Sequence, residues 1–296
     1  MKRPLTVSLL CLLGALALLF WGFNPSGSSQ PPPERRYVLL IESDTGTFLM
    51  QLRKGMQEAA ALQGARLTVE IVAGDPAVQA REVAAVSPTA VLLLLTRPAL
   101  MLEALAEVDI PAVVIGQTIR GQVCVISDDE DGGAAYVYRA LEMAEAEQIL
   151  LLTDEEDPRA VARSFGALAK ASPKKIQTMP WSPEMEIPSG YSVFLAASTR
   201  VTQWLAMAKA EGRLAAESAV LGVDTGDSRV QDLEQGYAEA LLMDNPYAMG
   251  FLAIEKAQML AESQLIPSLH FYPSPLIDLG NMHLIENVKL VFPLLQ

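Results

Sequence analysis

The sequence predicts an α/β fold in which parallel sheets are covered by helices on both faces. Continuous apolar runs such as Val38–Ser43 and Ala90–Leu95 alternate with amphipathic segments such as Phe48–Gln63. Continuous apolar strands are typical of sheets buried on both sides, and their alternation with helices is typical of parallel βα units. The alternation begins again after Gly133, which indicates a second lobe of similar build.

Size and composition allow two such lobes. The chain has 296 residues, 51% of them hydrophobic and 19% charged, so a large core can be buried. Its net charge of −13 disfavours binding to nucleic acids. Two cysteines (Cys11 and Cys124) and two histidines predict no disulfide framework, metal site or other cofactor. No nucleophile–base set or phosphate loop is apparent, so the sequence does not predict an enzyme.

The first 23 residues predict a membrane segment. Lys2 and Arg3 precede an uncharged apolar run, Leu5–Phe23, of about the length that spans a bilayer. Positive charge before such a run directs the rest of the chain across the membrane. A cleaved signal peptide begins in the same way, so residues 1–23 are a signal peptide or a membrane anchor, and the spanning length favours the anchor. Residues 24–36 are rich in proline and serine and predict a linker.

Local start and stop signals predict the other elements of the first lobe. Asp75-Pro76 begins a helix that runs to about Ala85, because aspartate caps helices and proline is favoured at the first helical position. Pro98–Glu107 is the next predicted helix. Further strands are predicted at Leu67–Val72, Ala112–Ile115 and Val123–Ile126.

The segment Ile110–Gly133 predicts the change from one lobe to the other. Its two short strands flank a polar crossing that begins at Gly116, and the second strand ends in the acidic run Asp128–Asp131. Polar groups on both sides of such a crossing would face a shared cleft, which favours a ligand-binding protein. The acidic run lacks the glycine and the spaced ligands of a calcium loop.

The second lobe repeats the pattern. Its predicted strands are Gln148–Thr153, Lys174–Thr178, Tyr191–Ala196, Ala219–Val223 and Gly236–Met243. Its predicted helices are Asp131–Glu145, a segment begun by Asp157-Pro158, Thr199–Glu211, Asp227–Leu233 and Asn245–Ser263. Met179–Gly190 contains three prolines and cannot be a regular helix. The tail, Ser268–Gln296, is predicted to consist of extended segments broken by prolines.

Six motifs carry a resemblance to a known family. They are Thr47-Phe48, Lys54-Gly55-Met56-Gln57-Glu58-Ala59-Ala60, Asp109-Ile110-Pro111-Ala112-Val113-Val114, Ser127-Asp128-Asp129 with Gly132-Gly133, Val220-Leu221-Gly222-Val223-Asp224 and Asn245-Pro246-Tyr247-Ala248-Met249-Gly250. In this order and spacing they resemble the type I periplasmic binding proteins, the ribose- and galactose-binding kind that also forms the sensor lobes of lactose-repressor-type regulators. The resemblance covers about Tyr37 to the C-terminus. A repressor is excluded because a membrane segment replaces the DNA-binding headpiece.

The resemblance implies two Rossmann-like lobes with parallel sheets, joined by three crossovers. It places the crossovers near Gly116–Asp128, Met243–Asn245 and Leu276–Asn281. Residues 37–121 and 245–278 would form the N-terminal lobe, and residues 122–244 and 279–296 the C-terminal lobe. The ligand would bind in the cleft at the carboxyl ends of the strands.

Nine residues at such strand ends and crossovers are candidates for ligand binding. They are Asp44, Thr47, Phe48, Gln117, Asp128, Arg159, Ser198, Asp224 and Asp244. Carboxylates and amides can hold sugar hydroxyls, and an aromatic ring can cover the apolar face of a sugar. Each has a plainer interpretation: Phe48 as the first core residue of its helix, the aspartates as caps, and Arg159 as a surface ion-pair residue.

The sequence departs from the family pattern at several positions. The Asp-Arg pair expected after the Ile-Pro strand is Gly116-Gln117, and the Asn-Asp pair expected after Tyr191–Ala196 is Ser198-Thr199. The helix expected before Tyr191–Ala196 is replaced by the proline-rich loop with Trp181. We therefore expect one face of the second sheet to be covered by this loop or by a partner, and we expect Trp181 to fill an apolar gap.

Two functions remain in view. The first is an extracytoplasmic solute-binding protein at the bacterial cell membrane, anchored or secreted. It would capture a sugar or related polyol and present it to an ABC transporter permease or a sensor kinase ectodomain. The second is a degenerate module of the same fold that docks a partner ectodomain without a sugar ligand. A cleft that still binds a small molecule would separate the two.

Overall fold

The computed structural model describes residues 35–44, 46–143, 149–154, 176–224 and 230–291. Its strands are β1 Arg36–Ile41, β2 Arg66–Ile71, β3 Ala90–Leu94, β4 Ala112–Ile115, β5 Val123–Asp128, β6 Ile149–Thr153, β7 Ile176–Pro180, β8 Val193–Ala196, β9 Ala219–Asp224, β10 Ala240–Met243, β11 Leu269–Pro273 and β12 Leu276–Asp278. Its helices are α1 Thr47–Leu62, α2 Pro76–Ala85, α3 Ala99–Glu107, α4 Asp129–Met143, α5 Thr199–Ala210, α6 Val230–Glu234, α7 Pro246–Ala261 and α8 Ile285–Val291.

The strands form two six-stranded sheets, as the restarted alternation predicted. The first has the order β11-β5-β4-β3-β1-β2 and the second the order β12-β10-β9-β8-β6-β7. In the described part of the chain every strand pair is parallel except β10 with β12. The carboxyl ends of the parallel strands therefore lie at one edge of each sheet, and the amino ends lie at the other.

The chain passes between the two sheets three times. It leaves the first sheet after β5 at Asp128, returns to it after β10 at Asp244, and leaves it again after β11 at Ser274. The number of crossovers and the position of the second agree with the family resemblance. The third lies just before the predicted Leu276–Asn281.

Sheet membership corrects the predicted lobe limits at two places. β5 pairs with β4 and β11, so residues 123–128 belong to the first sheet rather than to the C-terminal lobe. β12 pairs with β10, so residues 276–278 belong to the second sheet rather than to the N-terminal lobe. Parallel neighbours usually need a crossover of a dozen or more residues. Only residues 116–122 separate β4 from β5. Because this connection is shorter than the usual crossover between parallel neighbours, the prediction placed β5 in the other lobe.

Helices α1 and α7 lie side by side on one face of the first sheet, and two glycines allow their close approach. A Cβ atom on Gly55 would overlap the carbonyl oxygen of Tyr247, and a Cβ atom on Gly250 would overlap that of Leu52. Buried side chains from both helices pack on the sheet around this contact, including Met56. Gly55 and Gly250, which belong to two of the six motifs, are therefore needed for the close packing of α1 against α7.

The other sheet faces are also covered. Helices α2 and α3 cover the opposite face of the first sheet, and α4 covers one face of the second. There Tyr136 is fully buried. Its hydroxyl lies within hydrogen-bonding distance of the backbone carbonyls of Leu221 and Ala196, and its oxygen accepts from the backbone N–H of Ala196 at 3.2 Å. The remaining face of the second sheet packs against α5 and against the proline-rich loop with Trp181, which fills an apolar gap as expected.

Several predictions are corrected or lie outside the described residues. The tail contains helix α8, because Leu290 packs into a buried cluster and Asn287 donates to the carbonyl of Asn281. The predicted strand Gly236–Met243 is strand only at β10, since Gly236 has a φ of 70° and turns the chain. The N-terminal apolar run and the helix predicted after Asp157 lie outside the described residues. Among the helices described here, none has the length and apolar character to cross a bilayer.

We expect Gly250→Ala to destabilise the protein. The added methyl group would force α1 and α7 apart at a backbone contact, which should lower the free energy of unfolding by about 1–3 kcal/mol despite alanine's better helix propensity. Urea unfolding followed by circular dichroism measures the change. Gln57→Ala, at an exposed position of α1, serves as the control and should stay within about 0.5 kcal/mol of the parent. Equal midpoints for the two variants would contradict the close-packing argument.

A second expectation concerns the hydroxyl of Tyr247, which donates to the Glu58 carboxylate. This hydrogen bond, with burial, raises the pKa of Tyr247 to about 12. Between pH 10 and 12 the folded chain holds a proton that the unfolded chain loses, so this group's stabilisation is present below pH 10 and is lost as the pH rises towards 12. In Glu58→Gln, the pKa of Tyr247 should fall, so the part of the tyrosinate absorbance at 295 nm that belongs to one tyrosine should appear at lower pH. An unchanged titration would show that Glu58 does not control this pKa.

Candidate functional site

A pocket of about 350 Å³ lies at the carboxyl edge of the first sheet. It is formed by the ends of β1, β3 and β4 and by the first turn of α1. Its lining includes two of the predicted ligand-binding residues, Phe48 and Gln117, with Glu42, Thr96 and Gly116. Phe48 is half-buried and packs against the core, as its plainer interpretation predicted, while it also lines the pocket.

Hydrogen bonds hold the polar groups of this pocket in place. The Glu42 carboxylate accepts from the backbone N–H of Thr96 at 2.9 Å and from its hydroxyl at 2.5 Å. The Gln117 amide donates to the carbonyl of Leu95. Gly116 has a φ of 81°, a left-handed conformation that favours glycine and turns the chain out of β4. A carboxylate, a hydroxyl and an amide are therefore placed beside an aromatic ring, which is a suitable set of groups for a polyhydroxylated ligand.

Asp44 and Thr47 line a different groove. This groove, of about 840 Å³, lies along the start of α1, where it is also lined by Arg53, Lys54 and Gln57. The Asp44 carboxylate is 2.6 Å from the Arg53 guanidinium in an exposed ion pair. This groove adjoins the first pocket, because Leu49 lines both, but Asp44 and Thr47 line only the groove.

Three of the predicted aspartates come together where the first and second crossovers meet. Ser127, beside Asp128, donates its hydroxyl to the Asp244 carboxylate at 3.1 Å. The backbone N–H of Asp244 donates to the carbonyl of Asp224 at 3.1 Å. Asp224 ends β9 and is fully buried, whereas Asp244 is half-buried. Asp128 is described through its backbone, at the end of β5.

Neighbouring bonds extend this cluster to the third crossover. The Asn245 amide donates to the Tyr272 hydroxyl at 3.2 Å, while its oxygen accepts from the backbone N–H of Ala248 and caps α7. Burial raises the pKa of Tyr272. A Cβ atom on Gly132, in the first turns of α4, would meet the carbonyl oxygen of Ser274 at 2.8 Å. All three crossovers are therefore in contact through polar groups.

Ser198 has a structural role. It is fully buried, caps α5 by accepting from the backbone N–H of Val201 at 3.3 Å, and donates to the Asp154 carboxylate at 2.9 Å. Because its hydroxyl is engaged in both of these bonds, the structural role is favoured over the predicted ligand contact.

A pair that the sequence analysis missed lies beside Ser198. Asp154, directly after β6, is 5% exposed and receives two hydrogen bonds from Arg200, from Nε at 3.0 Å and from a terminal nitrogen at 2.6 Å. The Arg200 guanidinium is half-exposed and lies 5.5 Å from the centre of the Trp181 ring. The strand-end rule that selected Asp224 could have found Asp154, which follows an apolar strand in the same way. Arg159, the arginine that was predicted, lies outside the described residues.

The described residues offer no metal site. In the ranges given above, no group of three or more His, Cys, Asp or Glu side chains is placed to hold a metal ion. Cys124 lies within β5, where burial raises the pKa of its thiol. His270 on β11 has a lowered pKa because of burial and the nearby Lys256 ammonium.

Comparison with known proteins finds similarity in structure. No family model and no curated protein sequence matches the chain. It is similar to GanP, a glucose-galactose binding protein from Geobacillus stearothermophilus, with a TM-score of 0.67 and 17% identity over 85% of this chain and 99% of that one. It is also similar to an ABC transporter solute-binding protein from Agrobacterium vitis bound with α-D-tagatopyranose, with a TM-score of 0.71 and 16% identity over 87% and 99% of the two chains.

A third similar structure is a mutant XylFII–LytSN complex, with a TM-score of 0.65 and 11% identity over 84% of this chain and 99% of that one. Identities this low establish the fold. Together with the two sheets, the three crossovers and the order of the sequence motifs, they confirm the resemblance at that level: the chain has the fold of the type I periplasmic binding proteins.

Proposed function

We propose that this protein captures a small polyhydroxylated ligand, a sugar or related polyol, between its two lobes. The observation that carries the proposal is the pocket at the carboxyl edge of the first sheet, where Phe48 lies beside the fixed polar groups of Glu42, Thr96 and Gln117. The solved structures of similar fold include proteins with bound tagatose, D-arabinose, D-fucose and D-allose.

The second lobe would complete the site with groups at the carboxyl ends of β6, β8 and β9. We propose Asp224 and the half-exposed Arg200 as its main contributors, with Asp128 and Asp244 at the crossovers. Arg200 is held in a fixed orientation by Asp154, and a guanidinium fixed in this way is well suited to bind adjacent hydroxyls. Asp44, Thr47 and Arg159 are weaker proposals, since the first two line the adjoining groove and not the pocket itself.

The ligand-loaded protein would act at the outer face of a bacterial membrane. The apolar run at residues 5–23, preceded by Lys2 and Arg3, supports a membrane anchor. We propose that the partner is an ABC transporter permease or a sensor ectodomain. The XylFII–LytSN complex provides an example of this fold in a two-component assembly.

Thermal melting of the full chain against pentoses, hexoses, polyols and nucleosides tests the capture of a small ligand. A ligand at a hundredfold its dissociation constant should stabilise the protein by about 2.7 kcal/mol, which gives a clear rise in Tm. Phe48→Ala and Asp224→Asn should reduce or abolish the rise, since they remove a ring face and a strand-end charge.

Two matched variants control for general damage to the protein. Phe271→Ala removes a half-exposed ring from edge strand β11, and Asp109→Asn neutralises an exposed carboxylate at the amino edge of the first sheet. Both should keep the ligand-induced rise. A rise that survives Phe48→Ala and Asp224→Asn would place the ligand elsewhere, and a flat panel would argue against a sugar ligand.

A second candidate function is docking of a partner ectodomain without a sugar. It is favoured by four exposed apolar side chains near the carboxyl edge of the first sheet: Met50, Ile71, Val78 and Leu100. A photo-crosslinker at Leu100 should capture the partner in isolated membranes, whereas the same probe at exposed Leu62, near the opposite edge, should not. Capture at Leu100 together with a flat ligand panel would favour this function.

A further inference from the structure

The amino edge of the first sheet, opposite the pocket, carries a basic and apolar surface. We name it the base and define it by Arg35, Arg36, Arg66, Leu62, Val86 and Leu265. We propose that the base binds the surface of a bilayer that contains anionic phospholipids. The proposal does not depend on whether the pocket binds a sugar.

Three arginines meet at the base because two neighbouring strands begin there. Arg36 of β1 is the register partner of Arg66 of β2, and the backbone N–H of Arg66 donates to the carbonyl of Arg35 at 2.9 Å. Arg36 and Arg66 are exposed. Arg35 forms an ion pair with Glu262 at 3.0 Å, in which both side chains are about two-fifths exposed (41% and 37%). The chain as a whole carries a net charge of −13, so a cluster of three arginines stands out against its average surface.

Exposed apolar side chains surround these arginines. Leu62 ends α1 with 78% of its surface exposed, and the next residue, Gln63, accepts from the Tyr37 hydroxyl beside the start of β1. Leu265 follows α7, three residues after Glu262, and is fully exposed at 104%. Val86 directly follows α2 and is 42% exposed. It lies three residues before Thr89, whose hydroxyl accepts from the backbone N–H of Arg36.

This combination fits an anionic lipid surface in particular. Guanidinium groups bind phosphate, and leucine side chains beside them can enter the headgroup region. A basic segment near an anionic membrane gains affinity with each Lys or Arg. Among the described acidic residues, Glu262 is paired with Arg35, and Glu107 and Asp109 lie near the start of β4, on the far side of β3 from the arginines.

The order of the sequence is consistent with this orientation. Arg35 is the first residue of the folded unit that the structure describes, and the apolar run that we propose as an anchor ends at Phe23. The eleven residues 24–34 can span at most roughly 40 Å. An anchor at residues 5–23 would therefore keep the base within that distance of the bilayer.

The proposal has a geometric consequence for signalling. Because the base and the pocket lie at opposite ends of parallel strands, a base on the bilayer turns the first-lobe pocket away from it. That orientation suits a partner with a protruding ectodomain better than a permease whose surface lies close to the membrane.

The test uses the full chain with vesicles and a fluorescent label at the base. In a Cys11→Ala background, in which buried Cys124 is left in place, Leu265→Cys is labelled with an environment-sensitive dye. The protein is added to, or reconstituted into, vesicles of phosphatidylcholine alone or with about one-third phosphatidylglycerol. We expect a blue-shifted emission with the anionic vesicles that is weakened by salt. A dye at Leu100→Cys, exposed near the carboxyl edge, should not shift.

Charge variants separate the base from the anchor. The double variant Arg36→Gln with Arg66→Gln should lower, roughly thirtyfold, the ratio of molecules whose base is docked on the vesicle to molecules whose base is not. The matched pair Arg97→Gln, exposed at the carboxyl edge of the first sheet, with Arg213→Gln, exposed in the second lobe, should leave the ratio unchanged. Unchanged Tm and near-ultraviolet circular dichroism establish that each variant is folded.

Flotation of the same vesicles shows whether the chain is attached at all. Attachment to both lipid mixtures, with an emission shift at residue 265 in the anionic one, supports both the anchor and the base. Attachment to anionic vesicles alone, with the shift, supports the base without the anchor. Attachment without any shift at residue 265, or no attachment to either mixture, would overturn the proposal.

Discussion

The positions of the candidate site residues depend on one constraint, which is the parallel arrangement of the strands in each sheet. Apart from β12, the paired strands run in the same direction, so each sheet has one edge made of carboxyl ends. In the first sheet that edge forms the pocket with Phe48, and in the second it carries Asp154 and Asp224. After each parallel strand the chain must return to the amino edge before the next strand begins. Most of these return connections are helices that lie on the sheet faces and bury them.

The crossovers form the second level of organisation. Ser127 bonds to Asp244, and Asn245 bonds to Tyr272, so the three connections between the sheets share polar contacts. Closure of two-lobed proteins is absorbed by a few residues at such connections. Asp244, which we propose as a ligand contact, also accepts from Ser127 through Oδ1, so a ligand bound to this carboxylate would contact a residue of the crossover directly.

The two edges of the first sheet have different chemistry. The carboxyl edge combines the Glu42–Thr96 pair with the Phe48 ring and nearby exposed apolar side chains. The base combines arginines with exposed leucines. β1 has six residues, so the edges are roughly 20 Å apart. Substitutions at one edge should therefore leave the other edge's function intact, and ligand capture and membrane contact can be tested separately.

The sequence alone determined most elements and the strand-end positions of the candidate residues, because both depend on local physical signals. The helix starts predicted at Asp75 and Asn245 are present, and each side chain accepts from a backbone N–H of its own helix. Phe48 and Gln117 line one pocket, because the carboxyl ends of parallel strands meet at the same edge. The order of motifs was sufficient to predict the fold.

Tertiary structure decided which strands pair and which charges meet. It placed β5 in the first sheet and β12 in the second, and it added helix α8 through the burial of Leu290. It joined Asp154 to Arg200, 46 positions along the chain, and it placed Asp44 in a groove beside the pocket that Phe48 lines. Pairing and ion contacts of this kind depend on where the chain crosses between sheets, which no local pattern of apolar residues or caps determines.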